Sequence, residues 1–467
     1  MLFSSIIFLY YFLPLVLGLY FIVPKKYKNF ILLISSLFFY FYGEPIYSIL
    51  MITSIGLGYL HGLWIDRMKN SKYAKLPMIS SVIVSIGSLV FFKYSNFLIN
   101  NLNNFFSLNI PIMDIALPIG ISFYTFQILS YNIDLYRKDT KVQKNILYFA
   151  TYVSLFPQLI AGPIVRYSNV EAELSQRKHS IEKIAYGISR FIIGLSKKVL
   201  LANNLGELEK IFSLSNEKTV LFYWISTIAF TLQIYFDFSG YSDMAIGLGR
   251  IFGFHFQENF NYPFISKSIT EFWRRWHISL GTWFRDYVYI PMGGNRVSKL
   301  KWIRNILIVW FLTGIWHGAE WNFVFWGLYF ALLLVLEKLC FNKILARLPA
   351  VINHIYVMFL VILSFAIFNG QGIGEVKEIL MGLFGGLEIP LYNQVTIYYL
   401  KSYGIVFIIA IIASTPLATY IIKKLNTYSL GKKIINLLQP IVISVLLLLV
   451  TGYLVDGSFN PFLYFRF

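Results

Sequence analysis

The sequence predicts an all-α polytopic membrane protein, and three observations point to this class. Hydrophobic residues make up 57% of the 467 residues and charged residues only 13%, whereas soluble proteins carry about 25% charge. Apolar runs that could enter a bilayer recur along the whole chain. Two histidines stand in or beside such runs, where burying an ionisable side chain is costly. We therefore expect many membrane helices and a functional site at the histidines.

The apolar runs differ in length, and a full crossing needs roughly 20 residues. The shorter runs are therefore expected to be tilted or re-entrant, and we predict about 11 to 13 transmembrane or re-entrant helices. No linker or internal repeat divides the chain, which favours one membrane domain over residues 1–467. The runs are Leu2–Val23, Phe30–Tyr42, Ile46–Leu63, Ile79–Phe92, Asn145–Ile160, Ile184–Leu201, Val220–Tyr235, Ile306–Trp316, Trp321–Leu336, Val351–Phe368, Tyr403–Ile422 and Ile435–Leu454.

Basic loops predict the orientation of the chain in the membrane. The run Leu2–Val23 lacks the basic residue before it and the small-residue site after it that mark a cleavable signal peptide. Lys25, Lys26 and Lys28 follow at once, and cytoplasmic loops are rich in Lys and Arg. We therefore expect the N-terminus outside a cytoplasmic membrane. The net charge of +18 then reflects loops that face anionic lipid, and not nucleic-acid binding.

The sequence lacks the residues or motifs that several other kinds of site require. The single cysteine, Cys340, excludes an internal disulfide framework and a cysteine-based zinc cluster. The Gly-x-Ser-x-Gly elbow, the P-loop and the His-Glu-x-x-His motif are absent from the sequence. We therefore expect no bound metal or resident cofactor, and covalent serine catalysis is not indicated.

Helix-breaking residues interrupt the middle third of the chain at membrane depth. They occur at 117–120, at 156–163 and at 290–295, where Asn295, a supporting candidate, ends a Pro-Met-Gly-Gly-Asn stretch. Irregular backbone inside a membrane is tolerated only when it is buried in protein or lines a wet cavity. The pattern predicts a central cavity.

His317 lies inside the apolar stretch FLTGIWHGAEWN, between Trp316 and Gly318. A core histidine bonded to a backbone carbonyl is the structural alternative. The membrane context favours catalysis, because histidine transfers protons near neutral pH. We interpret His317 as a general base acting on an acceptor hydroxyl, with Trp316 as a supporting residue.

His277 follows Trp273-Arg274-Arg275-Trp276 in a basic, aromatic stretch. Residues 265–305 hold eight Lys and Arg against two acidic residues, a local excess of six positive charges. This pattern is typical of an ordinary cytoplasmic loop with Trp anchors. It also fits a vestibule for an anionic acyl donor such as coenzyme A or a phosphopantetheine arm. The candidate donor-binding residues are Trp273, Arg274, Arg275, Trp276 and Arg285.

Two carboxylates, Asp237 and Asp243, lie among aromatic and small hydroxyl residues in YFDFSGYSD. Paired acids could share a proton or orient a base. They could equally cap the next helix or belong to a buried polar network. Both interpretations stay open, and the two residues are supporting candidates.

Long ordered motifs in this chain resemble the membrane-bound O-acyltransferase family, and most of all its bacterial branch with the membrane subunit of alginate O-acetyltransferase. They are YFDFSGYSDMAIGLGRIFGF, NFNYPF, EFWRRWHISLGTWFRDYVYIPMGGN and LTGIWHGAEWNFVFWG, with LPIGISFYTFQ and LFPQLIAGPIVR upstream. The similarity is strong over about residues 117–337, the expected catalytic core.

The resemblance implies a fold, an activity and partners. The fold would be a ring of helices around a central funnel in a bacterial cytoplasmic membrane. His317 matches the family's catalytic histidine, and His277 matches a second polar position upstream. The branch transfers an acyl group, usually acetyl from acetyl-CoA, across the membrane. An extracytoplasmic esterase-like partner often completes its transfer to a polysaccharide or peptidoglycan.

Two other functions compete with O-acetylation of an exported polymer. One is D-alanyl transfer to teichoic acid, in which the donor thioester is attached to a carrier protein. The other is non-enzymatic transport of a lipid-linked sugar, which would need repeats or several intramembrane charges along a path. We see no repeat, and the polar residues gather around the two histidines.

Overall fold

The structure is a computed structural model that describes residues 1–457 and 463. It is 76% helical, and the described residues contain no strand. Within these described residues, seven helices are long and apolar enough to cross a membrane. They are Tyr47–Met68, Lys75–Phe106, Val220–Ile251, Trp321–Leu345, Ala350–Asn369, Gln394–Ala413 and Ser429–Val455. The prediction of an all-α polytopic membrane protein is confirmed, whereas the count of 11 to 13 segments and the central funnel stay predictions.

The described chain divides into two compact units. The first holds residues 1–191 and 241–257, and the second holds residues 192–240 and 258–467. The chain passes between them three times, inside the helices Ile181–Ser196 and Val220–Ile251 and in the loop between Gln257 and Glu258. The prediction of a single membrane domain over the whole chain stays a prediction.

The first unit begins with a π-helical segment, Phe8–Phe12, and contains eight complete helices. These are α1 (Leu13–Ile22), α2 (Lys28–Gly43), α3 (Tyr47–Met68), α4 (Lys75–Phe106), α5 (Ile121–Arg137), α6 (Ile146–Ser154), α7 (Phe156–Leu159) and α8 (Tyr167–Ser175). Helix α9 (Ile181–Ser196) follows and continues into the second unit.

The second unit carries most of the remaining helices. They are α10 (Asn203–Leu214), α11 (Val220–Ile251), α12 (Ile269–Arg275), α13 (Ile278–Phe284), α14 (Lys299–His317), α15 (Trp321–Leu336), α16 (Asn342–Leu345), α17 (Ala350–Asn369), α18 (Gly372–Leu383), α19 (Gln394–Ala413), α20 (Leu417–Leu425) and α21 (Ser429–Val455). Its core is aromatic, with buried Phe, Tyr and Trp side chains from α11, α12, α15 and α17.

Helix α5 is missing from the apolar runs because polar residues interrupt its hydrophobicity. It is buried on nearly every face and packs against α3 and α4. Gly120, just before it, has a left-handed backbone with φ of 76°, and an added Cβ would lie 2.9 Å from the Leu159 carbonyl oxygen. The predicted break at 117–120 therefore starts a protein-buried helix, where polar side chains find protein partners instead of lipid.

Three predicted runs have different boundaries in the structure. The run Asn145–Ile160 is not continuous, because the non-helical backbone of Leu155, with ψ of 109°, separates α6 from α7. The run Tyr403–Ile422 is split at Ser414-Thr415-Pro416, where α19 ends and α20 begins. The run Val220–Tyr235 continues to Ile251. The hydropathy criterion ends this last run at the polar residues after Tyr235, whereas the helix itself continues through them because it is buried in protein.

Candidate functional site

His317 is held at the end of a tightly packed helical hairpin. It is the last residue of α14, and α15 begins four residues later. Gly314 and Gly327 let the two helices touch, because a Cβ at either position would collide with the main chain of the facing helix. The side chain of His317 is buried, with 7% exposed. The close approach of the backbones therefore sets the depth and direction of the histidine.

Aromatic rings surround His317 on several sides. The ring centroids of Trp316, Trp326 and Phe368 lie 4.9, 5.0 and 5.4 Å from its own, all edge-to-face. Phe368 comes from α17, so a third helix of the same unit closes the site. Such surroundings exclude bulk water, and electrostatic interactions are stronger where water is excluded.

His277 lies between α12 and α13 in a left-handed conformation with φ of 44°. Its side chain is 1% exposed. Its Nδ1 lies 3.2 Å from the Oδ1 of Asn259, which also accepts hydrogen bonds from the backbone N–H and hydroxyl of Ser279. Because an amide oxygen can only accept, Nδ1 of His277 carries the proton. Its Nε2 has no hydrogen-bond partner among residues 1–457 and 463.

The two histidines belong to one site in the second unit. The Trp316 ring contacts both, at 5.7 Å from His277 and 4.9 Å from His317. His277 lies outside the seven candidate spans. Complete burial lowers the pKa of His277 well below its ordinary value, and the charge of nearby His317 lowers it further. His277 is therefore neutral near pH 7, with a bare Nε2 that can accept a hydrogen bond.

The two tryptophans proposed for donor binding pack inside the aromatic core. Trp276 is 4% exposed and stacks on Phe272. Trp273 is half-buried, with its ring 4.5 Å from that of Trp310 and 5.6 Å from that of Trp326. Both tryptophans therefore belong to the aromatic packing near the histidines. Their role in donor binding stays a prediction.

The three arginines of the predicted vestibule differ in their surroundings. Arg274 is exposed. Arg275 pairs with Glu271 at 2.9 Å and also donates to the carbonyl oxygen of Asn261. Arg285 pairs with its neighbour Asp286 at 2.6 Å. Donor binding by these residues stays a prediction, and Arg274 and Arg285 are the two with exposed side chains.

Asp237 makes a buried ion pair inside the second unit. Its Oδ1 lies 2.8 Å from Nζ of Lys198, and its Oδ2 accepts the backbone N–H of Leu463 at 3.0 Å. Lys198 lies in a π-helical segment, Lys197–Ala202, and also donates to Asn203 at 2.8 Å. The next residue after Asp237, Phe238, packs its ring 4.6 Å from that of His277. The ion pair thus anchors the stretch of α11 that supports this histidine.

Asp243 belongs to the first unit, where it pairs with Arg190 at 2.7 Å. The expectation that Asp237 and Asp243 cap a helix is wrong, because both lie inside the continuous helix α11. Each carboxylate has its own cationic partner. The buried-network alternative describes Asp237, whose partners come from distant parts of the chain.

Asn295 is exposed at the end of a turn in which Gly293 and Gly294 have positive φ. Asn305, which stands outside the quoted motifs, holds this turn. Asn305 is fully buried and donates to the carbonyl oxygens of Met292 and Gly294, both at 3.1 Å. A supporting role for Asn295 itself stays a prediction.

Sequence reasoning gave no role to three residues that the fold brings to the histidines. Asn259 orients His277, and Trp326 and Phe368 contact the His317 ring. Asn259 stands in the quoted stretch NFNYPF and Trp326 in LTGIWHGAEWNFVFWG, so the motifs were the available signal. No group of three or more His, Cys, Asp or Glu that could hold a metal occurs in the described part of the chain.

Comparison with known proteins shows the family of the chain. Residues 118–370, more than half of the chain and including both histidines, match the model of the membrane-bound O-acyltransferase family. The chain is 42% identical to a probable alginate O-acetylase of Pseudomonas aeruginosa over 80% of its own length and 73% of the relative's. It is 32% identical to a peptidoglycan O-acetyltransferase of Helicobacter pylori, covering 82% and 80% of the two chains.

A third relative, a teichoic acid D-alanyltransferase of Bacillus subtilis, is 33% identical over 48% of this chain and 58% of its own. The resemblance seen in the sequence motifs is confirmed, and a transporter function is not supported. The chain belongs to the membrane-bound O-acyltransferase family and is a multi-pass membrane acyltransferase.

Proposed function

We propose that this enzyme transfers an acetyl group from cytoplasmic acetyl-CoA for the O-acetylation of an exported polysaccharide or peptidoglycan, with His317 as general base. The observation that carries the proposal is the placement of His317 at the end of α14, buried among Trp316, Trp326 and Phe368 and beside His277. The names of the relatives that cover most of the chain support acetyl as the group transferred.

The reaction needs one proton transfer in each direction. His317 takes the proton from the acceptor hydroxyl as the hydroxyl oxygen attacks the thioester carbonyl carbon. The carbon–sulfur bond then breaks, and the leaving thiolate receives the proton from His317. Neutral His277, held by Asn259, offers its Nε2 as an acceptor to a second donor group of the bound acceptor molecule, because the only proton of the attacking hydroxyl goes to His317. Both roles are served by a site from which bulk water is excluded.

The donor is proposed to enter from the basic side of the second unit. Arg274, Arg275 and Arg285, with Trp273 and Trp276 behind them, lie in the stretch with an excess of six positive charges. Positive charge there attracts the phosphates of coenzyme A and favours a cytoplasmic location. The N-terminus is accordingly proposed to face the outside of the cytoplasmic membrane.

The acceptor side is proposed to work with an extracytoplasmic esterase-like partner that passes the acetyl group to the polymer. D-alanyl transfer from a carrier protein is the second candidate, favoured by the similarity to the D-alanyltransferase. The relatives that match most of this chain are named for O-acetylation, whereas the D-alanyltransferase matches 48% of it, and the first candidate is therefore preferred.

The test uses the full chain in nanodiscs with radiolabelled acetyl-CoA, comparing the wild type with His317→Ala. We expect thioester cleavage or label transfer in the wild type and its loss in the variant. Equal turnover in both would remove His317 from the mechanism. If neither turns over acetyl-CoA but the wild type accepts D-alanyl from a loaded carrier protein, the second candidate replaces the first.

A further inference from the structure

Two buried polar groups on α15 lack the hydrogen bonds that such groups normally make. Trp326 and Asn322 are each 1% exposed. The indole N–H of Trp326 has no acceptor, and the Oδ1 of Asn322 has no donor, within the part of the chain that the structure describes. Buried polar atoms nearly always form a hydrogen bond, so two such atoms without a partner on one helix need an explanation.

Both groups lie on the face of α15 that borders the catalytic histidine. They are four positions apart in the sequence, so they share one side of the helix. The Trp326 ring lies 5.0 Å from the His317 ring and 5.3 Å from that of Phe368. The side-chain amide of Asn322 donates to the carbonyl oxygen of Phe368 at 3.3 Å, which ties the same face to α17.

A half-buried tryptophan of this unit shows the ordinary arrangement. Trp224 on α11 donates its indole N–H to the carbonyl oxygen of Leu383 at 2.9 Å. The fold can therefore supply an acceptor for a tryptophan donor, as is usual when tryptophan is buried. In the described part of the chain, the indole N–H groups of Trp273 and Trp326 are both without one. Trp326 is distinguished by its ring contact with His317, which places its N–H where a reacting molecule would bind.

Acyl transfer creates the need for such a donor. When a hydroxyl adds to a thioester, the carbonyl oxygen becomes negatively charged, and N–H groups already aimed at that oxygen are often the largest single source of acceleration. An indole N–H can donate and cannot accept, and it carries no charge that would be costly to bury. The ring contacts with His317 and Phe368 hold the indole rigidly in place.

We propose that the indole N–H of Trp326 donates a hydrogen bond to the carbonyl oxygen of the transferred acyl group and stabilises the oxyanion. The inference rests on the proposed role of His317. As the acceptor oxygen bonds to the carbonyl carbon, its proton goes to His317 and the carbonyl π electrons move onto the oxygen held by Trp326. When the carbonyl re-forms, the carbon–sulfur bond breaks and the sulfur takes the proton from His317. Trp326 keeps its proton throughout.

The sharpest test replaces Trp326 in the full chain with benzothienylalanine, which has the shape of tryptophan without the N–H. With radiolabelled acetyl-CoA in nanodiscs, we expect kcat to fall on the order of 10²-fold to 10³-fold, as for the loss of one oxyanion donor, with KM for the donor little changed. The unfolding temperature without substrate should not fall, because no hydrogen bond of the free protein is lost. The same replacement at Trp224 should lower the unfolding temperature and leave kcat unchanged.

Each outcome discriminates between explanations. An unchanged kcat at Trp326, or a rise in KM alone, would overturn the inference. A fall in unfolding temperature at Trp326 as large as at Trp224 would also overturn it, even if purified protein showed no turnover, because the N–H would then have a partner in the free protein. His317→Ala, measured in the same series, separates the proposed role of His317 as general base from that of Trp326 as oxyanion donor. Full activity of that variant with a loss at Trp326 would remove the base and keep the oxyanion donor.

Discussion

The Nδ1 of His277 lies 3.2 Å from the Oδ1 of Asn259, and this contact decides which ring nitrogen of a fully buried histidine is bare. Asn259 also accepts from Ser279 and uses its backbone carbonyl to accept the N–H of Ile278. One asparagine thus orients the turn between α12 and α13 together with the histidine at its centre.

Asn259→Ala is predicted to lower both activity and stability. It leaves the ring N–H of His277 and two groups of Ser279 without their acceptor, and each buried unpaired group costs about 1–3 kcal/mol. We expect a rate at least ~10-fold lower, because the tautomer of His277 is no longer set. Acetyl-CoA turnover and thermal unfolding in detergent measure the two effects. Asn261→Ala, at an exposed side chain nearby, is the matched control and should change neither.

Gly314→Ala is predicted to separate the hairpin that carries His317. Its Cβ would collide with the main chain of Phe323, and overpacking of this kind costs about 1–3 kcal/mol. Because His317 is the last residue of the same helix, the substitution should also displace it. We therefore expect acetyl-CoA turnover to fall by more than the loss of folded protein accounts for. Gly404→Ala in α19 is the control, since nothing lies within 4 Å of its Cβ position. A fully active Gly314→Ala enzyme would contradict the role given to this contact.

Arg274→Ala is predicted to raise KM for acetyl-CoA and to leave kcat largely unchanged. The side chain is exposed, so its attraction for the donor phosphates is long-range and screened by salt. The difference from the wild type should therefore shrink as ionic strength rises. Lys343→Ala removes an equal charge from another exposed position and should leave KM unchanged. Equal KM values for Arg274→Ala and the wild type at low salt would refute the vestibule.

Lys198→Met is predicted to be strongly destabilising because it leaves the buried carboxylate of Asp237 without its cation. Breaking one side of a buried ion pair typically costs about 3–5 kcal/mol. The double variant Lys198→Met with Asp237→Leu should recover much of that loss, since no buried charge remains. Thermal unfolding of both variants makes the comparison. A double variant no more stable than Lys198→Met would show that the pair acts through something other than its charges.

The class of the protein and the positions of its polar exceptions could be read from the chain alone. Hydropathy predicts lipid contact because only apolar side chains are stable against lipid, and a histidine in an apolar run stands out by the cost of burying it. The same reasoning located the helix breaks at 117–120 and 290–295. It missed helix α5, because a helix buried in protein can carry polar side chains that lipid would exclude.

Which partner satisfies each polar group was decided only by tertiary structure. Asp237 is paired with Lys198 and with the backbone of Leu463, 226 residues away, and not used as a helix cap. Asn259 reaches His277 across a turn, and Trp326 meets His317 because two glycines let α14 and α15 touch. The physical reason is that burial makes a partner obligatory, whereas packing between distant segments selects which partner it is.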